Sequence, residues 1–409
     1  MVIEADIRAD DRDEIVAEME PLLFGSDSRH RQALTDLALD LTGKSAGFRR
    51  SLPASLRTSL ADLVRAMNCY YSNLIEGHYT HPVDIERAMK NDYSLDARKR
   101  DLQKEAIAHI NVQKWIDGGG LSGGRALKEE GIREIHRRFC ELLPEDLLWV
   151  EDTATNQRVR VVPGELRTRD VRVGNHAAVS PGAVPRFLQR FEHVYGSAGK
   201  TESIISTAAA HHRLLWIHPF LDGNGRVARL MSHATMLETL DTGAVWSVAR
   251  GLARNVPQYK SLLANCDRTR RNDLDGRGNL SEEALAEFTR FFLTVCIDQV
   301  DFMESLVQPE RLRARILLWA EEEIRLGQLP AKSGSLLDAL LYRGEIPRGE
   351  THAVFGTGER QARRIVAALL ERGVLTSDRP TVPLRLAFPA ALASRWMPGL
   401  FPDQKDSPG

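Results

Sequence analysis

Apolar and polar residues alternate along most of the chain with the rhythm of an α-helix. Near the start, Leu34, Leu37 and Leu41 fall at i, i+3 and i+7 and predict one face of a small helical scaffold. Residues 55–75 predict a long amphipathic helix that Gly77 stops. Residues 83–115 continue in helical rhythm until the glycines at 118–120 and 123–124 break it. A helix from about 128 to 143 turns Ile132, Ile135, Phe139 and Leu142 to one side. Two more, at 203–217 and 227–240, flank a short glycine-bearing loop. A further helical stretch covers 246–265, and a long apolar helix covers 285–306 behind a capping Ser281. The rhythm changes to period two at 158–162 and 167–173, on either side of Pro163-Gly164, which predicts a β-hairpin.

Beyond a helical connector at 308–324 the pattern changes again. Helices at 336–341, 350–355 and 359–370 alternate with strand-like pieces at 346–348, 374–376 and 384–386, the last two around Asp378-Arg379-Pro380. This order resembles a winged helix-turn-helix. Arg360, Arg363 and Arg364 lie on its would-be recognition helix and Arg379 in its wing. DNA contact requires these arginines to face outward together; the other use of such a unit is protein contact or dimerisation. Residues 402–409 read as a disordered tail.

Composition narrows the class. With 409 residues, two to three domains are expected, and 43% hydrophobic residues suffice for sizeable cores. The net charge of −1 gives no global basic field, so any nucleic-acid contact is local. No apolar run reaches the roughly 18 residues of a membrane span. Cys69, Cys140, Cys266 and Cys296 are scattered with no Cys-x-x-Cys pair, which suggests buried, reduced thiols of a cytoplasmic protein. The acidic N-terminus carries no secretory pattern. Residues 273–284 imitate a calcium loop, but Arg277 and Ala284 stand where ligands are needed.

The chemistry concentrates in residues 218–229, His-Pro-Phe-Leu-Asp-Gly-Asn-Gly-Arg-Val-Ala-Arg. Gly223 and Gly225 let successive N–H groups point one way, and with the next helix N-terminus they make an anion site. Arg226 and Arg229, at i and i+3, can clamp phosphate oxygens. Asp222 is a hard ligand that, with phosphate oxygens and waters, would hold Mg²⁺. His218 suits a general base near neutral pH, and Phe220 anchors the loop.

The stretch resembles the Fic motif, His-x-Phe-x-Asp/Glu-Gly-Asn-Gly-Arg-x-x-Arg, and matches it at every fixed position. The resemblance covers roughly residues 60–300 and implies transfer of AMP from ATP to a hydroxyl side chain of a target protein. It casts His218 as the base on the target Ser, Thr or Tyr and Asp222 as the Mg²⁺ ligand. Gly223, Asn224 and Gly225 become the anion hole, and Arg226 and Arg229 the phosphate holders. Ser72 and Glu76 share a helix face and are similar to the inhibitory helix of such proteins, which pairs Glu76 with Arg229. Gly164, Arg167 and Val173 fall where the target-docking flap lies, and Asn255 and Tyr259 where the nucleotide base pocket closes.

The expected fold is therefore mainly α: a Fic-type helical core with a small β-hairpin flap and a C-terminal winged helix-turn-helix. The expected division is 1–110 for the N-terminal helices with the inhibitory helix at about 60–77, 111–306 for the catalytic core, 307–400 for connector and winged helix, and 401–409 for the tail. The expected function is a self-inhibited protein adenylyltransferase using ATP and Mg²⁺. Its partners would be a hydroxyl-bearing target protein or itself, with a homodimer and DNA left open. The alternatives are a DNA-binding regulator that uses the core as a nucleotide sensor, removal of AMP, or transfer of another nucleotide.

Overall fold

The computed structural model describes residues 11–152, 157–377, 379 and 381–401. A strap of residues 11–24, with a 3-10 turn at Val16–Met19, leads into α1 (Arg31–Ser51), α2 (Ala54–Ile75), α3 (Pro82–Met89), α4 (Ala97–Asp117) and α5 (Glu129–Cys140). Two small antiparallel hairpins follow, β1 (Trp149–Asp152) with β2 (Gln157–Arg160) and β3 (Arg172–Val173) with β4 (His176–Ala177). Then come α6 (Val184–Tyr195), α7 (Lys200–Ile217), α8 (Asn224–Leu240), α9 (Ala249–Arg254), α10 (Val256–Cys266) and α11 (Glu282–Leu306).

Helices α7 and α8 pack along each other and form the core of the molecule, with α5, α6, α11 and α1 around them. The alanines at 208–210 leave no bulk on α7, and Ile204, Ile205, Leu214 and Ile217 fill the space with Val227, Leu230 and Met231 of α8. Phe187, Phe191, Phe288 and Phe292 close the surrounding layer. Arg213 of α7 is fully buried, yet it donates to Pro21 O (2.9 Å), Cys266 O (3.4 Å) and His212 Nδ1 (2.7 Å). One side chain thus ties the strap, α7 and α10 together.

The C-terminal unit holds α12 (Pro309–Arg325), α13 (Ser333–Arg343), β5 (Glu345–Ile346), α14 (Thr351–Phe355), α15 (Glu359–Glu371), β6 (Leu375–Thr376), β7 (Leu384–Leu386) and α16 (Ala393–Trp396). Its sheet runs β5-β7-β6, all antiparallel, and buries Ile346, Leu375, Leu384 and Leu386 against Leu336, Leu340, Ile365 and Leu369. No helix among the described residues is long and apolar enough to cross a membrane.

Several expectations change. The period-two segments at 158–162 and 167–173 do not pair with each other. The first turns back on Trp149–Asp152, and Arg172–Val173 pairs with His176–Ala177 across Gly174-Asn175. The reason lies between them: Arg167 is drawn into the core and cannot continue a ladder. The stretch 246–265 is two helices, broken at Asn255 ahead of Pro257, which enters α10 in its first turn. Leu142 lies past the end of α5 and is exposed. The expected boundary at 110 falls inside α4, which packs on α2 and α3 as well as on α5 and α8. Asp275 of the calcium-like loop accepts from the N–H groups of Arg271 (3.1 Å) and Glu283 (2.9 Å), so its carboxylate builds the turn before α11. Phe401, grouped with the tail, packs on Tyr70 and Tyr71; residues 402–409, Asp378 and Pro380 lie outside the described residues.

Arg213→Met should lower stability by about 2–4 kcal/mol, since two buried carbonyls and a ring nitrogen lose their donor. A urea titration that showed less than about 0.5 kcal/mol of loss would contradict the tie.

Candidate active site

Helix α7 ends at His218 because its backbone turns left-handed, φ 53° and ψ 62°, immediately before Pro219. A non-glycine residue rarely takes this conformation unaided. Arg167 holds it. Its Nε donates to His218 O at 2.7 Å and Nη1 to Arg169 O at 2.8 Å, while Nη2 reaches Val179 O and Ile217 O. Its own N–H donates to Pro219 O at 2.9 Å. Burial drops this guanidinium's pKa to about 10, and it is only 2% exposed. Arg167 is thus a brace beneath the loop and not part of an exposed flap. Gly164 is not on a flap either: its N–H donates to His136 Nδ1 at 2.9 Å.

His136 in turn stacks flat on Phe220, with centroids 3.9 Å apart and planes 1° apart. Phe220 is fully buried, the anchor that the sequence predicts. Asn224 closes the loop from inside. Its Oδ1 accepts from Phe220 N–H (3.0 Å) and its Nδ2 donates to Phe220 O (2.8 Å). The Asn224 side chain therefore shapes the turn, with both its polar atoms spent on the backbone of Phe220. Gly223 begins α8 at φ 81°, a conformation that glycine takes without strain.

The His218 Nδ1 donates to Leu215 O at 3.2 Å, which leaves Nε2 as the acceptor. Burial pulls its pKa down to about 4, so the ring is neutral at pH 7. Asp222 is exposed and makes no side-chain hydrogen bond or ion pair among the described residues.

Arg229 points back toward α2. Its Nε donates to Ser72 Oγ at 2.8 Å, its Nη2 to Ser72 O at 3.2 Å, and the same Nη2 pairs with Glu76 Oε1. The Glu76 carboxylate lies directly over the first turn of α8. A methyl group on Gly225 would come within 2.5 Å of Glu76 Oε1 and 3.2 Å of Arg229 Nη1. Burial alone would raise the Glu76 pKa, but the charges of Arg229 and then Arg226 outweigh it and hold the carboxyl below its usual range.

Arg226 does not join Arg229. Its Nη2 pairs with Glu105 Oε1 and lies 3.2 Å from His78 Nδ1, and the guanidinium sits 5.3 Å from the centroid of Phe139. His78 Nδ1 is 2.8 Å from Glu105 Oε2. Glu105, His109, Gln113 and Asp117 fall every four residues on α4, the first three buried, and face Arg226, Arg229 and His233 of α8. Sequence reasoning missed Glu105 and His78. The signal was a polar stripe at i, i+4, i+8 and i+12 inside an otherwise apolar helical rhythm.

A cavity of about 790 Å³ opens beside these groups. Glu76, Gly225, Arg229, His218, Val173 and Tyr259 line it together. Val173 belongs to the β3–β4 hairpin, which His176 pins to α7 by donating from Nε2 to Trp216 O at 2.8 Å. The Tyr259 hydroxyl turns inward. Ser232 donates to Ala228 O (2.8 Å), so His211 Nδ1 must donate to Ser232 Oγ (2.9 Å), and His211 Nε2 accepts from Tyr259 (2.7 Å). Burial pushes the tyrosine pKa up to about 12. Asn255 is not part of the cavity wall; its amide donates to Gly251 O at 2.8 Å and seals the α9–α10 break. Arg360, Arg363 and Arg364 lie exposed on α15 in the C-terminal unit, with Arg363 paired to Glu359 at 2.8 Å.

Residues 126–236 match the Fic/DOC family. Over 170 residues the chain is 28% identical to the protein adenylyltransferase Fic of Drosophila grimshawi, a match that covers 41% of this chain and 32% of that protein. With the protein of the same name from Drosophila ananassae it shares 26% over 219 residues, 51% of this chain and 41% of that one. The chain thus spans a third to two-fifths of the length of these relatives. Among solved structures, Fic-1 (residues 134–508) from C. elegans superposes with a TM-score of 0.49 at 16% identity, covering 67% of this chain and 72% of that one. A Fic family protein from Desulfovibrio desulfuricans G20 gives 0.48 at 16% identity, covering 86% and 96%.

Burial depresses His109 and His211 to about 3 and His136, His212 and His218 to about 4, against an ordinary 6.5. The unfolded chain therefore binds protons between these values that the folded chain does not, so stability rises with pH through that window and falls on acidification. The expected loss is up to about 1.4 kcal/mol per pH unit for each such histidine. Denaturant midpoints at pH 7 and 5, with NMR titration of the His218 ring, test this; a ring that titrates near 6.5 would refute it. Arg167→Met should raise exchange of the Phe220 amide by about tenfold or more, the factor of the two lost side-chain hydrogen bonds to Ile217 O and His218 O. Unchanged exchange would remove Arg167 from the role of brace.

Proposed function

We propose that this chain, through its Fic/DOC domain, is a protein adenylyltransferase that transfers AMP from ATP to a hydroxyl side chain of a protein, and that Glu76 inhibits it. One observation carries the reading. A carboxylate of the chain itself lies over the N-terminal turn of α8 and pairs with the buried Arg229, as an oxygen of a nucleotide phosphate would. An anion site that the protein fills with its own carboxylate is a locked phosphate site.

In this reading the Nε2 of His218 takes the proton of the target hydroxyl, whose oxygen attacks the α-phosphorus as pyrophosphate leaves. Nδ1 is fixed on Leu215 O, so the ring presents the accepting nitrogen and is neutral at working pH. Gly225 and the first turn of α8 supply N–H groups for phosphate oxygens, and Arg229 neutralises the terminal phosphate once Glu76 withdraws. The exposed β3–β4 hairpin with Val173 offers a strand edge on which a target segment lies beside His218. Arg226 acts from behind, held by Glu105, and contributes positive field to the site.

Asp222 suits Mg²⁺: it is one uncommitted carboxylate at the mouth of the loop, and no group of three metal-binding side chains converges among the described residues, so phosphate oxygens and waters would complete the shell. Bound there, Mg²⁺ would neutralise charge on the departing pyrophosphate.

A second reading makes the C-terminal unit a DNA reader, favoured by the exposure of Arg360, Arg364 and Arg379. It predicts a salt-sensitive band shift on duplex DNA. If no shift appears at about 50 mM salt, the arginine face is a solvated surface.

Radiolabelled ATP distinguishes the chemistries. Glu76→Gly should raise protein labelling from α-labelled ATP by about tenfold or more, the factor of one charge-assisted contact of about 1.4 kcal/mol. His218→Ala should abolish it, and γ-label should stay in solution. Protein labelled from the γ-position would make the reaction phosphorylation and overturn the proposal. Without nucleotide, Glu76→Gly should also lose about 1–3 kcal/mol, because Arg229 then lacks its anion, and ATP should restore more stability to the variant than to the wild type.

A further inference from the structure

Helix α2 carries Ser72 and is capped by Glu76, so whatever fixes the end of α2 fixes the lock. Its inner face is held by Arg229. Its outer face is held by the end of the C-terminal unit. Tyr71 is one residue from Ser72 and points about 100° around the helix. Its hydroxyl donates to Leu400 O at 2.9 Å, in a buried contact between residues 329 positions apart. Phe401 meets Tyr70 edge-on at 5.5 Å and stacks on Tyr71 at 6.5 Å. Leu400 and Tyr71 are at most 1% exposed.

The same segment is fastened to the catalytic core. Arg250 of α9 donates from Nη2 to Gly399 O at 2.9 Å and from Nη1 to Gln299 Oε1 of α11 at 3.2 Å. Its guanidinium lies 3.5 Å from the centroid of Phe302. Residues 399–401 therefore bridge α9 and α11 to α2 at one joint. Two further ties join α2 and its neighbour α3 to the C-terminal unit. Ala390 N–H donates to Glu86 Oε2 of α3 at 2.7 Å. Gly344, at the end of α13, packs so closely on Ser55 at the start of α2 that a methyl group there would overlap the hydroxyl.

We propose that residues 399–401 are an outer clasp on the inhibitory helix, so that the C-terminal unit is the input of the lock. An event that draws this segment off Tyr70 and Tyr71 releases the last turn of α2 and withdraws Glu76 from Arg229. The proposal rests on reading Glu76 as inhibitory. It goes beyond that reading by assigning the C-terminal unit the control of α2. The physical basis is the asymmetry of the two attachments. The inner one is a charged pair that a phosphate can replace. The outer one is an aromatic and main-chain joint, none of whose residues lines the cavity.

The test uses the full chain. Tyr71→Phe removes only the hydroxyl, and Phe401→Ala removes the ring contacts at the edge of the joint. Hydrogen–deuterium exchange is read at the amides of 76–78, which bond to Asn73 O and Leu74 O in the last turn of α2. Each variant should exchange there about fivefold faster than wild type, the factor of one net hydrogen bond for Tyr71→Phe and of one aromatic pair for Phe401→Ala. In a Glu76→Gly background, neither variant should raise nucleotide-dependent labelling further, because the lock is already open. If exchange rises at 395–401 while 76–78 stay as protected as in wild type, the clasp is overturned. If the labelling gains of Phe401→Ala and Glu76→Gly simply multiply, it is overturned as well. Exchange does not depend on any transfer reaction. Faster exchange at 76–78 with no labelling in any variant would therefore support the clasp while removing the adenylyltransferase reading.

Discussion

A buried guanidinium needs an anion, and Arg229 is the point where this requirement shapes the molecule. It is 4% exposed, and the groups within its reach are Ser72, the Tyr259 hydroxyl and the Glu76 carboxylate. Only the last is charged. Removing it would leave an uncompensated charge at the head of α8, where the helix itself already favours negative charge. In the proposed reading a nucleotide phosphate would satisfy the same need, so that carboxylate and phosphate would compete for one site with the arginine paired in either case.

The loop before Arg229 is built so that its shape does not depend on ligand. Arg167 and Asn224 use their polar groups on main-chain atoms, His136 uses its own on the Gly164 N–H and Cys140 Sγ, and none of the three lines the cavity. The groups left open are the Nε2 of His218, the Asp222 carboxylate and the N–H groups at the start of α8. This division lets a left-handed histidine and a positive-φ glycine sit in fixed positions without strain relief from substrate.

The polar seam between α4 and α8 explains why the two motif arginines behave differently. Arg226 meets Glu105, a carboxylate on a helix that is fixed in the core. Arg229 meets Glu76, a residue just past the end of α2, where the chain turns at Gly77. The arginines are three positions apart, and their partners differ in how readily they can leave. The position of α2 between the helical core and the C-terminal unit then makes its last turn the place where both halves of the chain meet Arg229.

The sequence by itself determined the helical rhythm, the capped start of α11 at Ser281, the loop around Gly223, the buried anchor Phe220 and the pairing of Glu76 with Arg229 that the resemblance implied. All but the last rest on residues within about four positions of one another or on a contiguous motif; the Glu76–Arg229 pair, 153 positions apart, was implied by the resemblance alone. Partner choice over long separations came from how the helices pack. Arg167 reads as an alternating strand residue until the carbonyls of 217–219 arrive beside it. Asn255 and Tyr259 share a helical spacing, yet Pro257 breaks the helix and turns the one to Gly251 and the other to His211. Arg226 and Arg229 share a helix face, and only the packing of α4 assigns Glu105 to the first. Local pattern sets backbone conformation, because φ and ψ preferences and turn chemistry act between neighbours. Which charge meets which depends on how the helices stack, because burial makes pairing obligatory without specifying the partner.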